Sequence, residues 1–107
     1  MTKEFEIGLE LLKKVRGELE ALSQAQDKLS ARQLVNAIIN PVTASAYQVR
    51  VGDGPRKEEL LKVLFEVVKN MRDLQDLQAL KDSVASLLDL LDRVQQELSA
   101  EQKSSNG

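Results

Sequence analysis

In this 107-residue chain the residue types that are missing say more about chemistry than those present. There is no His and no Cys. That removes the usual nucleophile–base pairs, the common transition-metal ligand sets and the proton carriers that titrate near neutrality. Carboxylates remain, but Asp89 and Asp92 fall on the polar edge of an amphipathic pattern, where charges ordinarily face water. No catalytic residue, metal site or cofactor is expected. Gly52-Asp53-Gly54-Pro55-Arg56-Lys57 has the outline of a phosphate loop ahead of a helix. It lacks the GxxxxGK[ST] pattern and follows no strand, so it reads as a two-glycine turn. Arg50, Arg56 and Lys57 around it give a weak signal for holding an anionic partner.

What remains is recognition. Gln33 to Val49 holds no charged residue in a chain that is 30% charged, and Arg32 and Arg50 bracket it. At about 100° per residue, Leu34, Val35, Ile38, Ile39, Val42, Ala46 and Val49 share one face. Asn36, Asn40, Thr43 and Tyr47 form a neutral polar strip opposite. Amides and a phenol hydrogen-bond directionally without the desolvation cost of a charge, and Tyr suits recognition surfaces. This strip, flanked by Arg32 and Arg50, is the candidate partner-binding surface. In the competing reading this helix is the most enclosed of all, with its amides bonded inside the fold.

The elements that carry these residues follow from periodicity. Helices are expected over about 3–26, 31–50, 55–72 and 77–100, with 104–107 a disordered tail. Phe5, Leu9, Leu12, Val15, Leu19 and Leu22 form the first stripe. Gly8 lies within it, where another backbone can come close, and Gly17 lies on the wet side. Ser30 with Gln33 reads as a capping box, and Leu29 with Leu34 as a hydrophobic staple. Pro41 removes a backbone donor, yet the apolar phase runs straight across it, so a kinked but continuous helix is expected. A short strand at Tyr47, Val49 and Val51 is the alternative there.

From Leu60 to Met71 the apolar residues, Phe65 among them, cover an arc of about 200°, which needs more than one neighbour. The steps shorten at Leu74, Leu77 and Leu80 and turn the stripe by about 170°. A break is therefore expected between Asp73 and Leu77, with Asp73 or Asp76 as cap. In the last helix Leu90 stands at the edge of the leucine stripe, where an interface would reach it first.

Four helices with short links predict an all-α, antiparallel four-helix bundle with a Pro-kinked second helix. The alternative is a helical dimer in which helices three and four are fused into one rod. A net charge of −2 argues against a nonspecific grip on nucleic acid. The chain shows no secretory signal and no apolar run fit to span a bilayer. With no cysteine, a cytoplasmic location is expected. The function expected is a non-enzymatic module that binds another protein, of adaptor, regulator or immunity type. Self-assembly as a coiled-coil homodimer and carriage of a small apolar ligand are the alternatives.

Overall fold

Thr2 accepts the Phe5 N–H on its hydroxyl at 3.3 Å, and from that cap onward the chain is almost wholly helical. The computed structural model describes residues 1–105. They form α1 (Lys3–Lys14), α2 (Arg16–Ser23), α3 (Lys28–Val51), α4 (Lys57–Arg72) and α5 (Leu77–Ser105). Among the described residues there is no strand, so the alternative strand at Tyr47 to Val51 is replaced by the last turn of α3. None of these helices is long and apolar enough to cross a membrane. α1 packs on α3, α3 on α4 and α4 on α5, while α2 touches both α5 and α3. The molecule is a helical bundle around one core, with Phe5, Leu12, Ile38, Leu64, Met71 and Leu87 among its fully buried side chains.

The packing of α1 on α3 depends on small residues. Buried Ser45 donates its hydroxyl to the Gly8 carbonyl at 2.8 Å. A Cβ on Gly8 would lie 2.9 Å from Val49 Cγ2, so glycine is what lets α1 lie against α3.

Several boundaries differ from expectation. The first helix is interrupted at Val15 (φ −107°, ψ 11°), whose N–H bonds back to Leu12 at 3.2 Å in a tightened turn. Exposed Gly17, with no neighbour near its missing Cβ, supplies nothing to hold the interrupted turn straight. The rod then ends at Ser23, not Gln26, where the Ser23 hydroxyl takes the Glu20 carbonyl at 2.6 Å.

Helix α3 begins before the expected Ser30 cap. Asp27 is the cap, and its Oδ1 accepts the Ser30 N–H at 2.8 Å. An acid at this position also complements the positive end of the helix. Leu29 is 71% exposed, so no staple to Leu34 forms. Pro41 lies inside α3, which continues through it to Val51. Because proline has no N–H, the carbonyl of exposed Ala37 has no helical donor.

Helix α4 starts at Lys57 and not at Pro55, after Arg56 in the left-handed conformation (φ 55°). Arg56 Nε reaches Glu97 at 2.9 Å, which holds that turn against α5. α4 and α5 are separate and packed on each other, so the fused-rod alternative does not describe this chain. Asp76 supplies the cap between them, accepting the Ala79 N–H at 3.1 Å. α5 runs past the expected end at 100 to Ser105, which places Ser104 and Ser105 in helix. Residues 106–107 of the expected tail lie outside the described residues.

The Asp27 cap should make stability depend on pH. The Ser30 backbone N–H, followed by the Ser30 hydroxyl, holds the Asp27 carboxyl below its ordinary value. A depressed folded pKa means the cap contributes fully at neutral pH and is lost as pH falls through that lowered value. Asp27→Ala should therefore lower Tm by a few degrees at neutral pH. Thermal melts in acid, below the ordinary carboxylate range, should show the gap between the two proteins closing.

Candidate partner-binding face

Two edges of α3 have different neighbours. The Ser45 edge meets α1 at Gly8. By helical phase Arg32, Thr43 and Arg50 lie on the other edge, beside α4. Between the two edges, facing outward, are Asn36 and Asn40, both exposed, and Tyr47, 62% exposed. Thr43 is half-buried at the α4 side, and Arg32 and Arg50 are exposed. The sequence-selected residues thus lie together on one outer surface. Their amides face water, so the enclosed reading of this helix does not hold.

Helix α4 completes the surface. Its Asn70 edge is held against α5, where Asn70 Nδ2 donates to Ser83 Oγ at 3.2 Å. Leu61, Phe65 and Arg72 lie within about 40° of one another on the other edge, turned towards α3. The connection over residues 52–56 is short, and α3 and α4 pack on each other. An antiparallel pairing would set positions equally distant from Gly54 level to within about a turn: Tyr47 with Leu61, Thr43 with Phe65, Asn36 with Arg72. The two helices carry stripes of the same i, i+4, i+7, i+11 spacing, Asn36-Asn40-Thr43-Tyr47 and Leu61-Phe65-Val68-Arg72. Val68, nearly buried, forms the floor, and the half-exposed ring of Phe65 stands at the rim.

Phe65 belongs to the wide apolar arc expected to need more than one neighbour, and Arg72 carries no sequence signal of its own. The signal for Phe65 was the width of the apolar arc, since residues at the edge of so wide a face run out of neighbours. Leu90, expected at an interface edge, is instead 6% exposed, because it lies at the α4–α5 seam beside Val63. Arg56 is not free to join Arg50 and Lys57 on an anion, being bonded to Glu97 and Glu59. Asp89 and Asp92 are exposed and paired with Arg93 and Arg16.

A concavity runs between α1 and α5, which do not pack closely. Leu9, Leu12, Leu91 and Val94 line it. An ion pair between Arg16 Nη2 and Asp92 at 3.0 Å spans its edge, a surface contact of about 0–1 kcal/mol.

No family model, no curated protein and no solved structure matches the chain. The arrangement on α3 and α4 therefore has to be read from its own chemistry.

Proposed function

We propose that this chain is a non-enzymatic helical module that binds another protein through the outer face of α3 and the adjoining edge of α4. In this reading the bundle is an antiparallel arrangement of four rods. α1 and α2 form one interrupted rod, and α3 bends at Pro41 to present its outer side.

One observation carries the proposal. The chain has only three aromatic residues, and two of them, Tyr47 and Phe65, are about half exposed or more on the same side of the bundle. Aromatic side chains on an uncharged surface lose apolar contact to water unless something covers them. Protein interfaces are enriched in such residues and poor in charge at their centre. The amides of Asn36 and Asn40 beside them supply directional bonds.

A photo-crosslinking side chain at position 47, used in cells, identifies the protein that covers the face. Tyr47→Ala and Asn40→Ala should then each weaken capture of that protein by about tenfold, with Tm unchanged within a few degrees. A large loss of stability without a selective binding defect would return the strip to a structural role.

A further inference from the structure

The chain is acidic overall, with a net charge of −2, yet α3 carries Lys28, Arg32 and Arg50 and no acidic residue. The arginines also divide into two groups. Arg16, Arg56 and Arg93 each have a carboxylate within 4.0 Å. Among the described residues Arg32, Arg50 and Arg72 have none. Arg32 and Arg50 are about five helical turns apart, roughly 27 Å, and so lie on the same edge of α3. Arg72 lies on the α4 edge beside them. Of the acids of α4, Glu59 and Glu66 line the α5 side. Glu58, exposed in the first turn, lies by helical phase on the Phe65 edge near Arg50, without an ion pair to it. An uncharged, aromatic-bearing strip is thereby edged by guanidinium groups that have no internal partner.

We propose that the occupant of this face is an acidic amphipathic segment of the other protein. Its carboxylates would meet Arg32, Arg50 and Arg72, and its apolar residues would meet Tyr47 and Phe65. This rests on the assignment of the face as a protein-binding surface. Guanidinium groups offer carboxylates a forked, two-bond grip. Complementary charge at the rim of an interface contributes selectivity among partners and a faster encounter.

The test uses the intact protein and synthetic helical peptides sharing one pattern of apolar residues, in strongly acidic, neutral and strongly basic versions. Fluorescence polarisation should give the acidic peptide a Kd about tenfold below that of the neutral one at low salt. The advantage should shrink as salt screens it. Arg32→Gln with Arg50→Gln should reduce the preference to the part carried by Arg72 and spare the neutral peptide, and Tyr47→Ala should weaken all binding. Both arginines are exposed and unpaired, so the double variant should keep its fold, which circular dichroism checks.

Equal affinities, a preference for the basic peptide, or an acidic preference undiminished by the double substitution would each overturn the inference. If binding were charge-blind but lost in Tyr47→Ala, the face would still stand as a binding surface without its acidic partner. No binding by any peptide would remove both. A dimer in light scattering that dissociates with Tyr47→Ala would replace the acidic segment with a second copy of the chain.

Discussion

Phe5→Ala should cost about 3–5 kcal/mol, a large part of the stability of a domain this size. The Phe5 ring is fully buried and faces the α3–α4 turn. A Cβ on Gly54 would lie 2.5 Å from Phe5 Cδ1, and one on Gly52 would lie 2.6 Å from the Phe5 backbone nitrogen. The turn is anchored again by the Asp53 N–H, which donates to the Thr2 hydroxyl at 2.8 Å. The start of the chain and the turn that leads into α4 therefore form one packed unit, and the ring joins them. Gly54→Ala should be destabilising in the natural background because the added methyl meets the ring. In the Phe5→Ala background it should cost little, since the obstruction is gone. Denaturant melts of the two single variants and the double give the coupling directly. Simple addition of the two losses would mean that the ring and the turn are not packed as described.

The second large effect concerns recognition rather than folding. Tyr47→Ala combined with Phe65→Ala should lower affinity for the crosslinked partner by about a hundredfold or more, as removal of central aromatic contacts does. Stability should fall by no more than about 1–2 kcal/mol, because both rings already spend much of their surface in water. Isothermal titration and thermal melts on the same samples separate the two effects. Phe65→Ala is the sharper half of the comparison with Phe5. The same substitution should be severe at the buried ring and mild at the half-exposed one. A cost near 3 kcal/mol at Phe65 would place it in the core.

The helical class and the break between α4 and α5 could be read from periodicity, because a stripe that shifts phase at Leu74 to Leu80 cannot stay on one face of a straight rod. The outer strip was legible for a similar reason, since charge is normally present on a wet helix face and is missing between Arg32 and Arg50. Helix ends were harder. Ser30 and Asp27 are both good caps, three residues apart, and the choice turned on which start gains another turn of helix. The interruption at Val15 left no mark in the apolar pattern, which runs unbroken from Leu12 to Leu22. It is a local backbone event, in which one N–H takes the carbonyl three residues back. The exposure of Phe65 could not be read from the sequence, because a helical wheel gives the direction of a side chain and not how far the neighbouring helix reaches. The pairing of α3 with α4 supplies that, and with it the contribution of Arg72.

Pro41 is a cost that α3 carries in its interior. Within α3 it gives up one backbone bond and leaves the Ala37 carbonyl turned to the outside. A chain selected for ruggedness alone would gain by placing alanine there, since proline inside a helix is among the least favourable choices. By helical phase that open acceptor lies on the α1 side of the outer surface, away from Asn36 and Tyr47. Position 41 is therefore where thermostabilising mutagenesis should find an inexpensive gain, and Pro41→Ala should raise Tm.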